Sequence, residues 1–137
     1  MNEPDDRIHN LLPSLPPLVT RLMAGIAAID PARRAALDEL AAITVRQLAT
    51  RRKTDLTFIC THNSRRSHLA QVLAQTAAAF HGIGGIRCHS GGTEATACNL
   101  RSVAALRRAG FEVTDTTGGD NPVYEIRFAP DQPPLRA

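Results

Sequence analysis

Tryptophan is absent from this chain of 137 residues, tyrosine occurs once, and aromatic residues make up only 4% of it. A core must therefore be filled by Leu, Ile, Val and the 21 alanines, and alanine, the strongest helix former, tilts the expectation toward a helix-rich architecture. Lysine is nearly missing too: 15 of the 16 basic residues are arginine, and Lys53 is the exception. The net charge is only +3 and the arginines are scattered, with no stripe of interleaved aromatics, so a nucleic-acid partner is not expected. No apolar run approaches the ~20 residues that span a bilayer. The start, Met-Asn-Glu-Pro-Asp-Asp, lacks the basic-then-apolar order of a secretory signal, so the expected setting is cytoplasmic and away from membranes. Cys60, Cys88 and Cys98 form no Cys-x-x-Cys pair, which argues against a disulfide framework and against a standard zinc site. The length fits one domain.

What is present divides the chain in two. Residues 1–14 show no periodicity and read as a frayed lead-in. Leu18, Leu22, Ile26 and Ile29 recur at helical spacing, and Asp30-Pro31 reads as an N-cap with proline at the first helical position of a second helix carrying Leu37, Leu40, Ala41, Val45 and Leu48. Residues 1–53 are thus expected to be an N-terminal helical extension, an antiparallel helix pair. Residues 54–137 read differently. Leu56-Thr-Phe-Ile-Cys60 is a strand, residues 61–65 a polar loop, residues 67–80 a helix, Ile86-Arg-Cys-His-Ser90 a second strand, and residues 100–109 a helix capped by Asn99 and stopped by Gly110. Residues 111–113 read as extended, residues 123–128 alternate with period two, and the proline-rich tail from Ala129 is not expected to form an element. The fold class is α/β, with helices layered on a short parallel sheet.

The segment Cys60-Thr-His-Asn-Ser-Arg-Arg-Ser67 carries the chemistry. A cysteine ending a strand, five intervening residues and an arginine opening a helix allow the loop to curl. Its backbone N–H groups and the helix N-terminus then face one point, a nest for a tetrahedral oxyanion. Arg66 can close on that anion with its planar fork. Cys60 lies in the same positive field, which draws its thiol below the free value of ~8.5 and makes it a nucleophile toward phosphorus or arsenic at neutral pH. Ser67 can donate to the sulfur, and Asn63 suits a left-handed turn within the loop.

With those residues in view, Phe58-Ile-Cys-Thr-His-Asn-Ser-Arg-Arg-Ser-His68 resembles the phosphate-binding loop of the low-molecular-weight protein tyrosine phosphatases and their relatives, the thioredoxin-type arsenate reductases. Ser90-Gly-Gly-Thr93 is similar to the segment after that family's second strand, and Asn99 through Phe111 to its following helix. The resemblance spans residues 56–113. It implies a phosphatase-like sandwich over residues 54–137 whose second half is shortened, and cleavage of phosphomonoesters through a cysteinyl-phosphate intermediate. It implies Cys60 as nucleophile, Arg66 as transition-state clamp, Ser67 as thiolate stabiliser and Asn63 as loop brace. Thr61, His62, Asn63, Ser64, Arg65 and Arg66 would supply the anion-binding amides.

The family also uses an aspartate near its C-terminus to protonate the leaving oxygen, and the nearest candidates are Asp120 and Asp131, for each of which turn formation is the ordinary reading. A reductase would need a thiol reductant, and Cys88 and Cys98 do not occupy the places of the family's shuttle cysteines. The alternatives to a phosphatase are therefore an arsenate reductase fed by an external thiol, and an oxyanion-binding protein without turnover. No cofactor and no metal is expected, because Cys60, His62, His68, Cys88, His89 and Cys98 match no common zinc spacing. The expected partner is a phosphorylated protein or a small oxyanion. The N-terminal helices would cover an edge or face of the sheet or, alternatively, dock a partner, a second copy included.

Overall fold

The computed structural model describes residues 5–94 and 96–137. Two helices occupy the N-terminal part, α1 over Pro16–Gly25 and α2 over Pro31–Arg51, with a 3-10 turn at Ile26–Ala28 between them. Asp30 caps α2 as its sequence predicts, accepting from the Arg33 N–H, with Pro31 at the first helical position. Then follow β1 (Thr54–Ile59), α3 (Arg66–Phe80), β2 (Ile86–Gly91), α4 (Leu100–Ala109), β3 (Glu112–Asp115), β4 (Tyr124–Arg127) and β5 (Leu135–Arg136).

The strand-loop-helix-strand unit expected from residue 54 onward forms a parallel β1–β2 pair in which Thr54 is opposite Ile86 and Ile59 opposite Gly91. α3 packs against both strands. Its Gln71 donates to the Cys88 carbonyl at 3.1 Å and its Gln75 to the Ile86 carbonyl at 3.0 Å, while the Cys88 N–H donates back to Gln75 at 2.9 Å. These amides occupy backbone groups on the edge of β2 that faces away from β1, and so blunt an edge that would otherwise template another strand. The opposite face of the pair is polar, with Asp55 joined to Arg87 at 3.0 Å and to His89 at 2.8 Å.

The period-two segment near residue 124 is a strand, but its pairing could not be read from alternation alone. β4 lies antiparallel between β3 and β5 in a second, three-stranded sheet. The tail is a correction to the sequence expectation. Despite its prolines it returns as β5, where Tyr124 and Ala137 exchange backbone hydrogen bonds at 2.8 and 3.0 Å. Prolines at 130, 133 and 134 all precede the two paired residues, so the ladder loses no donor.

The lead-in is corrected more deeply. Residues 1–4 lie outside the described residues, but Asp5 caps a 3-10 helix over Asp6–Asn10, and Leu11, Leu12 and Leu15 that follow are 3%, 4% and 0% exposed. They join Val72, Phe80, Val103, Leu106, Phe111, Ile126 and Phe128 in one core. The Leu12 N–H donates to the Phe128 carbonyl at 2.9 Å, so the segment is bonded as well as packed. Three leucines in a short irregular stretch carry no period, which is why no element could be inferred there.

The two N-terminal helices also behave differently from an expected mutual pair. α1 turns Leu18 and Val19 onto the core, whereas α2 has no buried residue along its whole length. Its junction with the sheet is tight only at the C-terminal end. There Arg52 adopts a left-handed cap (φ 58°) and its carbonyl would lie 2.4 Å from any Cβ added at Gly85.

Candidate functional site

β1 delivers Cys60 to the mouth of the sheet and α3 begins six residues later, so the intervening loop must reverse direction in five residues. Asn63 makes this possible by adopting φ +46°, a left-handed conformation that asparagine tolerates better than most residues. Its side-chain amide lies 2.8 Å from the Ser67 hydroxyl oxygen, which braces the turn against the first turn of α3. Ser67, 2% exposed, in turn lies 3.0 Å from the Cys60 sulfur. The chain Asn63–Ser67–Cys60 therefore fixes the sulfur from below.

The electrostatic result is a thiol drawn down to about 6. The Ser67 hydroxyl contributes most, followed by its backbone N–H; desolvation opposes them, and the Ser64 and Asn63 N–H groups add smaller lowering effects. Donors aimed at the sulfur stabilise its anion directly. Cys88 and Cys98 show the opposite behaviour: both are 3% exposed, and burial pushes each thiol up to about 11. One cysteine of three is thus prepared as a nucleophile.

A second segment buttresses the loop. The Cys60 N–H donates to the Gly91 carbonyl at 3.1 Å, and the Thr61 carbonyl accepts from both the Thr93 N–H at 3.0 Å and the Thr93 hydroxyl at 2.6 Å. Gly92 passes so close that an added Cβ would meet the Cys60 carbonyl and the Asn63 nitrogen at 2.6 Å. Only glycine permits this approach. The Asn99 N–H donates to the Ser64 carbonyl at 2.7 Å, and the Asn99 side chain caps α4. From behind, buried His68 lies 3.0 Å from the Ser90 hydroxyl and 3.3 Å from the Thr96 carbonyl.

Above the sulfur opens a cleft of about 260 Å³ lined by Cys60, His62, Ser64, Arg65, Arg66, Glu94, Thr96 and Asn99. No carboxylate pairs with Arg65 or Arg66 among the described residues, and His62 lies 3.7 Å from Glu94. α3 starts without a side-chain cap, so its first amides are not consumed by one. A low-p K a thiolate, two unpaired guanidiniums and a helix N-terminus around one cleft form an environment complementary to a tetrahedral oxyanion.

Residues 55–120 match the family model described as low molecular weight phosphotyrosine protein phosphatase. Over those residues the chain is similar to that family. The match opens in β1 and closes beyond β3, so it contains the whole phosphatase loop, the buttressing segment and α4. No curated protein and no solved structure matches the chain. That similarity supports a cysteine-based, phosphatase-type function.

The site residues expected from the sequence fall into two groups. Cys60, His62, Ser64, Arg65 and Arg66 share the cleft. Thr61 directs its carbonyl to Thr93, and Asn63 and Ser67 act from beneath. Asp120 and Asp131 are exposed in turns of the second sheet, and neither lines the cleft. The sequence reading missed Glu94 and the contact that demands Gly92. The signal for the Gly92 contact was the glycine pair at the end of β2, which marks close backbone approach. No cluster of three or more His, Cys, Asp or Glu residues suited to a metal occurs among the described residues, and none of their helices is long and apolar enough to cross a membrane.

Proposed function

We propose that the protein hydrolyses phosphomonoesters, with phosphorylated protein side chains as the substrate class, in two displacements at Cys60. The observation that carries this reading is the Cys60 thiol at about 6, held by the Ser67 hydroxyl and by three loop and helix amides. At neutral pH such a group is largely thiolate. The phosphoryl group sits in the cleft with its oxygens toward the loop amides and the Arg66 fork, and the sulfur attacks phosphorus to give a cysteinyl phosphate. Water then attacks phosphorus, breaks the P–S bond and returns the thiolate. Arg66 follows the charge of the three equatorial oxygens through both steps, the kind of preorganised electrostatic help that dominates such transfers.

Arsenate reduction would use the same first step but must then pass a disulfide outward. The burial of Cys88 and Cys98, with both thiols pushed up to about 11, gives no support to an internal relay. Hydrolysis is the reading better supported.

The purified protein is expected to hydrolyse an activated aryl phosphate, with competitive inhibition by phosphate, arsenate and vanadate. Cys60→Ser should lower kcat by about 10⁴-fold or more, the scale on which loss of a nucleophile acts. Vanadate binding that is retained, and lost in Arg66→Ala, without turnover of any ester would instead favour an oxyanion-binding protein.

A further inference from the structure

Hydrolysis of an ester with a basic leaving group requires a proton on the departing oxygen, and neither of the two aspartates that the sequence offers lines the cleft. We propose that Glu94 is the proton donor. The inference rests on the phosphatase reading above and adds a residue to it. Among the described residues, Glu94 supplies the one carboxyl group lining the cleft that holds Cys60. It reaches the cleft from the segment after β2 and not from the loop that cradles the anion, so it is free of the backbone geometry that must close on the equatorial oxygens.

Its placement is fixed on the N-terminal side. Thr93 is tied twice to the Thr61 carbonyl, and Gly92 is wedged against Cys60 and Asn63, which holds the backbone leading into Glu94 against the Cys60 loop. In-line displacement puts the leaving oxygen opposite the attacking sulfur, toward the mouth of the cleft. The sulfur lies at the inner end, over Ser67, and the Glu94 side chain is 65% exposed at the rim. His62, 3.7 Å away, lies beside the same carboxylate.

The cycle balances within the protein and water. In the first step the S–P bond forms as the P–O bond to the leaving group breaks, and the Glu94 carboxyl proton goes to that oxygen, releasing an alcohol or phenol. In the second, the Glu94 carboxylate takes a proton from water as its oxygen bonds to phosphorus. The P–S bond breaks with its electron pair on sulfur, leaving inorganic phosphate, a Cys60 thiolate and a protonated Glu94.

The test compares kcat/KM, which reports the first displacement, for 2,4-dinitrophenyl phosphate and for phenyl phosphate in the wild type, Glu94→Gln, His62→Gln and Asp120→Asn. Loss of a general acid costs on the order of 10²–10⁴-fold where the leaving group needs the proton. Glu94→Gln should therefore fall by about 10²-fold or more with phenyl phosphate and by less than about 10-fold with the dinitrophenyl ester. Vanadate binding should be preserved, as suits an exposed side chain outside the core. An equal loss on both esters, no loss on either, or a steepened leaving-group dependence in His62→Gln or Asp120→Asn in place of Glu94→Gln overturns the assignment while leaving the phosphatase reading standing. Failure of the wild type to turn over even the dinitrophenyl ester overturns both.

Discussion

α2 and α3 are the two longest helices, with 21 and 15 residues, and both are alanine-rich, with six and five alanines respectively. Intrinsic propensity does not separate them. Burial does: α3 buries Ser67, His68, Gln71, Val72, Thr76, Ala78, Ala79 and Phe80, while α2 buries nothing. The lesson is that alanine content makes a helix, but only packing gives it a fixed place. A helix N-terminus can serve as an electrostatic device only when its position relative to the nucleophile is fixed to a fraction of an ångström. α3 meets that condition because one face grips the sheet through Gln71 and Gln75 while another enters the core through Val72 and Phe80.

The comparison is most severely tested at Phe80, which is 5% exposed at the end of α3 and meets the Arg7 guanidinium 4.6 Å from its ring centroid. Phe80→Ala should destabilise the protein by about 3–5 kcal/mol in urea denaturation, because it removes core contacts and leaves a cavity. A loss under ~1 kcal/mol would mean that α3 is not held as described.

Next in size is the effect of Ser67→Ala on the nucleophile. The midpoint for alkylation of Cys60 by iodoacetamide should rise from about 6 toward the ~8.5 of a free thiol. Cys88 and Cys98 should stay unreactive in the folded state. The sign for stability follows from the direction of the shift. The folded thiol, at about 6, lies below the ordinary 9.0, so between those values the unfolded chain binds the extra proton. The contribution of the thiolate is therefore complete above pH ~9 and lost as pH falls through about 6. The stability gap between wild type and Ser67→Ala should widen over that interval. A gap independent of pH would remove the thiolate from the account.

The smallest effect is expected in α2. Leu37, 48% exposed, touches no core, so Leu37→Ala should change stability by no more than ~0.5 kcal/mol. A larger cost that grows with protein concentration would show that a second copy covers α2, and the contrast between the helices would then belong to the isolated chain alone.

Much of this was legible in the sequence. The run Cys60 to Ser67 stands out because the residue types the proposed chemistry needs are contiguous: a cysteine, a turn-forming asparagine, an arginine and a serine lie within eight residues. Asp30-Pro31 and Asn99 with Gly110 mark helix ends for the same local reason. Glu94 could not be read in this way, because nothing in its neighbourhood says that β2 runs parallel to β1 and delivers the following segment to the mouth of the Cys60 loop. Leu11, Leu12 and Leu15 were opaque because their partners, Phe80, Ile126 and Phe128, lie far along the chain.

By itself the sequence indicated the α/β class, the capped ends of α2 and α4 and the loop from Cys60 to Ser67 as the chemistry-bearing segment, the last two of which depend on contacts within a few residues. Tertiary structure decided how deeply Cys88 and Cys98 are buried. It also decided that the tail closes a second sheet, that one alanine-rich helix is packed and the other bare, and which carboxylate lines the cleft that holds Cys60. Each of those depends on chain segments far apart in sequence coming to share one space, and the burial and hydrogen bonding that follow are set by that meeting.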